Sequence, residues 1–147
     1  MRILGVTEKW PKLQLNKPLE ERGLFTTFRF ERKDRDWEVE ELAQLVYKPR
    51  SKQREVLGVV RIIRKQPKDL NKHWQYYPWP ASPNTSDMVT LAEAAEDGFI
   101  RMHGGGDIEK MHRFFIDTYG YSRCQKERIN KLTLYWVIKD GNGNQAQ

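Results

Sequence analysis

Apolar and polar positions alternate in several stretches of the chain and recur at helical spacing in others. Leu24–Phe30 (LFTTFRF) is rich in aromatic and β-branched residues and reads as a strand. Its alternation puts Leu24, Thr26, Phe28 and Phe30 on one face and Phe25, Thr27 and Arg29 on the other. The charged segment Glu31–Asp36 reads as a turn, and a second strand follows near Leu42–Lys48, closed by turn signals at Pro49 and Ser51. A third strand, roughly Arg54–Arg64, carries Val56, Gly58, Val60 and Ile62 on one side and Leu57, Val59 and Ile63 on the other. Apolar residues on both faces predict burial on two sides, as within a barrel. Thr90 and Glu93 have the spacing of a capping box ahead of Leu91, Ala94 and Ala95, with Gly98 where that short helix should stop. Asp107 is placed to cap a second helix, in which Ile108, Met111, Phe115 and Tyr119 recur at helical spacing up to Gly120. Lys131–Ile138 then alternates strictly, with Leu132, Leu134, Trp136 and Ile138 on one face. Strands, then helices, then a closing strand predict an α+β fold: a small, mostly antiparallel barrel with two or three helices at one side.

The 147 residues suit one domain, read here as 1–140 with a polar, frayed tail over 141–147. A hydrophobic fraction of 38% with 31% charged residues excludes a membrane-spanning helical protein, and no apolar run approaches the length of a span. The opening MRILGVTEKW lacks the apolar middle and cleavage site of a secretory signal. A lone Cys124 forms no internal disulfide, which fits a reducing, cytoplasmic setting. His73, His103 and His112 show no metal-ligand spacing, so neither metal nor cofactor is expected. Gly104-Gly105-Gly106 reads as a flexible joint: no strand leads into it and no Lys-Ser/Thr follows, as a phosphate loop would require.

Charge changes this picture. The net charge is +6, and the window Lys48–Lys72 holds nine cations against only Glu55 and Asp69. All the surplus lies in that stretch, and such a concentration attracts polyanions. Two further clusters carry candidate chemistry. In Arg29–Trp37 (RFERKDRDW), Arg29, Arg32 and Lys33 offer guanidinium and ammonium groups suited to phosphate oxygens; the competing reading is a solvated turn of local ion pairs. In Lys72–Trp79 (KHWQYYPW), Trp74, Tyr76 and Trp79 beside cations suit base stacking; the competing reading is a hydrophobic lid over the barrel. Cys124, between Arg123 and Lys126 in what reads as a loop, is taken as incidental. The chain has no G-x-S-x-G elbow, H-E-x-x-H pair or Walker loop.

LFTTFRF, RKDRDWEV, QLVYKPRSKQREVLGVVRI, EAAEDGF and KLTLYWV, in this order and spacing, together resemble the ASCH family of the PUA-like superfamily over nearly the whole chain. The resemblance implies a β-barrel with helices flanking a cleft, and association with RNA. It also admits hydrolases: small amidohydrolases acting on acetylated cytidine, and nucleases. The family pattern is a glycine, a lysine two positions on and an arginine five further. Aligned on Arg29, Leu24 stands at the lysine position and Gly23 is displaced by one. In the amidohydrolases that lysine works with a threonine and a carboxylate, for which Thr27 and Asp97 (with Glu96 beside it) are the matches. Lys9, Lys12 and Lys48 are the candidates to replace it in space.

The leading expectation is therefore an RNA-binding module recognising single strands or nucleotides. Lys48, Arg50, Lys52 and Arg54 would supply affinity, Arg29, Arg32 and Lys33 would line the cleft, and Trp74, Tyr76 and Trp79 would stack bases. The alternative is a small hydrolase acting on RNA or a modified nucleoside through Thr27 and Asp97, the amidohydrolase reaction being disfavoured by Leu24. RNA is the expected partner, no membrane partner is expected, and a homodimer is compatible with the sequence. An adaptor that anchors a protein partner through the aromatic segment is the third reading.

Overall fold

Five strands and three α-helices account for most of the regular structure in a computed structural model of the chain, which describes residues 1–70 and 89–138. The strands are β1 (Arg2–Val6), β2 (Phe25–Phe30), β3 (Leu42–Tyr47), β4 (Glu55–Asp69) and β5 (Arg128–Trp136). The helices are α1 (Leu91–Glu96), α2 (Ile108–Tyr119) and α3 (Tyr121–Lys126), and single 3-10 turns stand at Pro11–Leu13 and Leu19–Glu21. The sheet order is β1-β3-β4-β5-β2. It is a mixed sheet, because β1 runs parallel to β3 whereas β3 and β4 form an antiparallel hairpin. The α+β class expected from the sequence is what the chain adopts.

The chain divides into two compact units. One gathers Met1–Phe25, Trp37–Lys65 and the chain from Thr133; the other gathers Thr26–Asp36 and Gln66–Leu132, so far as these are described.

In the first unit, β3 carries the core. Ala43 and Leu45 are fully buried, as are Leu4, Leu13, Val60, Ile62 and Leu134 to within 1% exposure. Burying a side chain of this size contributes about 1.5–3 kcal/mol, so this row is what holds β1, β3 and β4 together. Between Leu45 and Val46 the register slips, since Leu45 faces Gly58 but Val46 faces Val56. The extra residue on β4 is Leu57, which forms a bulge, and Gly58 beside it takes φ +150°. A Cβ there would stand 2.8 Å from the Trp136 ring, so the position admits no side chain. The bulge also changes the two-sided burial expected for β4. Val60 and Ile62 are buried, but Val56 and Ile63 are exposed at 46% and 37%. Hydrophobic runs alone do not reveal which row a bulge turns outward. Trp136 packs against Phe25 at 5.6 Å between ring centroids, with the Arg22 guanidinium 4.7 Å from the Trp136 ring. Arg2 grips Glu41 through two hydrogen bonds of 2.6 Å and lies 4.4 Å from the Trp37 ring.

In the second unit the helical spacing works as expected. Thr90 accepts from the Glu93 N–H at 3.1 Å and Glu93 accepts in return from the Thr90 N–H at 3.0 Å, a complete capping box. Asp107 caps α2 by accepting from the Lys110 N–H at 3.0 Å. Phe28 and Phe30 meet α2 through Phe115 and Tyr119, with centroids 5.9 and 4.9 Å apart in edge-on geometry. Ile108, Met111, Cys124 and Ile129 close the same core. Two expectations need correction here. Cys124 lies in α3, a helix too short to announce itself in the sequence, and it is fully buried; burial raises the pKa of its thiol against the lowering effect of Arg123. Gly106 is a packing residue and not merely a joint. It bridges Ile100, and a Cβ on it would overlap the Leu91 carbonyl oxygen.

Candidate nucleic-acid interface

The turn joining β3 to β4 is built from local bonds. Lys48 adopts the left-handed conformation at φ 44° and directs its N–H to the Val6 carbonyl at 2.8 Å. The Ser51 N–H donates to the Lys48 carbonyl (3.1 Å), the Arg54 N–H to the Ser51 carbonyl (3.2 Å) and the Gln53 N–H to the Ser51 hydroxyl (2.9 Å). The Lys48 ammonium reaches back to Gln53 Oε1 at 2.9 Å. A tip braced in this way has its backbone already ordered, so on binding the cost falls on its outward side chains. Those side chains are Arg50, Lys52 and Arg54, all exposed. Among the described residues no carboxylate pairs with any of the three; nearby Glu55 is taken by Lys9 at 3.0 Å.

Further along the basic window only Arg64 is likewise exposed and without a partner among the described residues; three other cations behave differently. Arg61 pairs with Glu40 at 3.3 Å, Lys65 donates to the Trp37 carbonyl at 3.0 Å, and Lys68 is buried against Glu93 at 2.9 Å. The sequence counts these cations equally with the tip, but the fold employs them internally. The unpaired charge is therefore narrower than the window Lys48–Lys72 suggested. Lys72 and the aromatic trio Trp74, Tyr76 and Trp79 lie outside the described residues, as does the tail 141–147.

The second unit holds the other candidates. Arg29 sits half-buried on β2, with its Nε buried and, among the described residues, without a hydrogen-bond partner. Arg32 and Lys33 are exposed in the following turn, where Arg32 lies 3.5 Å from Asp34 and its N–H donates to Asp36 at 3.3 Å. Asp34 is held below the usual carboxylate range, chiefly by the backbone N–H of Arg35. Asp36 in turn accepts two bonds from Asn130 on β5, at 3.0 and 3.2 Å. This run is thus a turn of local ion pairs tied to a neighbouring strand. Thr27 and Asp97 are both buried, at 7% and 6% exposure. Asp97 ends α1, with its N–H donated to the Glu93 carbonyl at 3.1 Å.

Sequence reasoning missed the most closely knit charge cluster in this unit. Glu93 receives Lys68 at 2.9 Å and Lys131 at 3.0 Å, and Lys131 also meets Glu96 at 3.3 Å. Lys68, Glu93 and Lys131 are exposed by only 4, 7 and 8%. Burial alone would raise the Glu93 pKa, but the hydrogen bonds and charges of Lys68 and Lys131 outweigh it and bring the carboxyl below its ordinary value. A signal was present. Lys131 shares its side of β5 with the buried Ile129, and Lys68 stands two residues before the buried Leu70, so both lysines have buried apolar neighbours at alternate positions.

Compared with known proteins, the chain matches no family model, no curated protein and no solved structure. Among the described residues no helix is long and apolar enough to cross a membrane, and no group of His, Cys, Asp and Glu is placed to hold a metal ion.

Proposed function

We propose that this chain is an RNA-binding module, a PUA-like domain of the ASCH type that recognises single strands or nucleotides. The observation that carries this reading is the braced β3–β4 tip, with Arg50, Lys52 and Arg54 exposed and unneutralised among the described residues. Phosphate contacts from such groups release counterions, so affinity depends steeply on salt. The mixed sheet with three helices is compatible with the barrel that the ASCH resemblance implies. The test is fluorescence anisotropy of labelled single-stranded RNA over a range of salt concentrations. Affinity should fall by orders of magnitude from low to moderate salt, and Arg50→Ala/Lys52→Ala/Arg54→Ala should weaken binding across sequences without changing the melting curve. Absence of RNA binding, or tight binding indifferent to salt, overturns the proposal.

The second reading is a hydrolase acting on RNA or a modified nucleoside, for which the burial of Thr27 and Asp97 within one unit is the supporting observation. Glu93 is ill-suited to join them as a proton-transfer group. Its two oxygens already accept from Lys68, Lys131 and the Thr90 N–H, and its carboxyl is held below the range useful to a general base at neutral pH. Leu24, in the place of the family's lysine, is 54% exposed and brings no charge. Incubation with acetylated cytidine and with labelled single-stranded RNA separates the two readings, since a binding module leaves both intact.

A further inference from the structure

Tyr47, the last residue of β3, has two cations near its ring. The Lys9 ammonium lies 5.1 Å from the ring centroid and the Lys48 ammonium 5.2 Å. Across the sheet Tyr47 is paired with Val6 on β1 and with Glu55 on β4, and Lys9 also reaches Glu55 at 3.0 Å. Tyr47 continues the inward row of Ala43 and Leu45, both fully buried, but is itself only half-buried. The tip with Arg50, Lys52 and Arg54 follows Tyr47 directly in the chain.

An ammonium near an aromatic ring at an exposed site is held weakly and exchanges readily for a stronger partner. Phosphate is such a partner for Lys9, whose side chain is 45% exposed and whose ion pair with Glu55 is a surface one, and for Lys48, whose ammonium is bound otherwise, among the described residues, only by the neutral Gln53. When the lysines turn to phosphates, they uncover an aromatic ring that is half-buried and next in the chain to unpaired cations. Those are the two components by which proteins hold single strands: a stacking surface for a base and charge along the backbone. A duplex offers no free base face to such a ring.

Resting on the RNA-binding reading above, we infer that Tyr47 is the stacking platform for an unpaired RNA base, with Lys9 and Lys48 gripping the phosphates that flank it. The strand then continues over Arg50, Lys52 and Arg54. This locates base recognition on β3 in the first unit.

The test compares full-length wild type with Tyr47→Phe, Tyr47→Leu and Tyr47→Trp. Each is titrated with a labelled single-stranded oligouridylate and with inorganic polyphosphate, which has the charge but no bases. Stacking predicts that Y47F and Y47W bind the oligouridylate within a few-fold of wild type, whereas Y47L loses about tenfold or more. All of them should bind polyphosphate equally. Y47L keeps the apolar bulk of the position, and Y47W reports independently should Y47L melt early. Equal oligouridylate binding by Y47L and wild type overturns the inference, and so does a parallel loss for polyphosphate. If Y47L does not fold, loss of oligouridylate binding in Y47W or Y47F with polyphosphate retained overturns it as well. Failure of the wild type to bind any RNA is a different result, which overturns the RNA-binding reading itself.

Discussion

Lys68 and Glu93, separated by 25 residues in sequence, meet at 2.9 Å with both side chains less than a tenth exposed. Lys131 completes the group from β5, so one carboxylate on α1 pairs with ammoniums from two strands, and Glu96 meets Lys131 as a second carboxylate. Breaking such a pair from one side leaves charge buried without compensation, at about 3–5 kcal/mol. Glu93→Gln isolates this effect, because glutamine at the same position also completes a capping box and leaves the start of α1 intact. The variant should lose stability on that scale in chemical denaturation. Replacing Lys68, Glu93 and Lys131 together by Met, Gln and Met should cost far less, since the capping box is kept and none of the three positions carries a buried charge. If E93Q melts like wild type, the cluster does not anchor α1.

The same carboxyl sets a pH dependence. Its folded value lies below the ordinary 4.5, so the folded state holds Glu93 ionised more firmly than the unfolded chain does. The stabilisation is fully present above that ordinary value and is lost as pH falls from there through the folded value. Wild type should therefore lose stability on acidification below about pH 4.5 more steeply than E93Q. Equal acid slopes for the two proteins, measured by denaturant midpoints, would remove Glu93 as the cause.

Which parts of this structure were legible in the sequence follows from the range over which each signal acts. The capping box of Thr90 and Glu93, the cap at Asp107 and the spacing of Met111 and Phe115 are local, and all are found in place. The strands around Phe28, Leu45 and Leu134 were likewise announced by alternation. The strand Arg2–Val6 was not, because its pairing partner, Leu42–Tyr47, lies some forty residues further on and only that parallel pairing defines it. The bulge at Leu57 is invisible for a related reason: it shows only when β3 and β4 are in register. In the candidate interface the count of cations identified Lys48–Arg54. Removing Arg61, Lys65 and Lys68 from the free charge needed their partners Glu40, Trp37 and Glu93, all distant in sequence. Composition finds where charge is surplus, and tertiary pairing decides how much of it remains to face a ligand.

Gly106 and Leu91 make a sterically exact approach that a single methyl group tests. Gly106→Ala places its Cβ on the Leu91 carbonyl oxygen, a backbone atom at the first residue of α1 that cannot rotate away. Overpacking of this kind costs about 1–3 kcal/mol. Gly105→Ala meets no atom within 4 Å, although its φ of +80° adds a backbone penalty that Gly106 does not share. Thermal melts should put G106A clearly below wild type, with a loss of helical signal ahead of the main transition as α1 shifts. Unchanged melting would mean that the backbone at Leu91 gives way freely.

The braced tip makes a quantitative prediction about salt. For single strands the slope of log affinity against log salt is about −0.7 for each phosphate neutralised. If Arg50, Lys52 and Arg54 each neutralise one phosphate, replacing all three with alanine should reduce the magnitude of that slope by about 2. The exposed positions of the three side chains, without acidic partners among the described residues, make the change in charge the main consequence for the folded state. Arg61→Ala serves as the contrast. Its guanidinium is already paired with Glu40 at 3.3 Å, so its removal should leave the slope nearly unchanged. Slopes measured by anisotropy for the two variants decide whether the tip or the whole basic window binds the strand. Equal reductions per residue removed would spread the contact along β4 and refute the tip as the principal phosphate site.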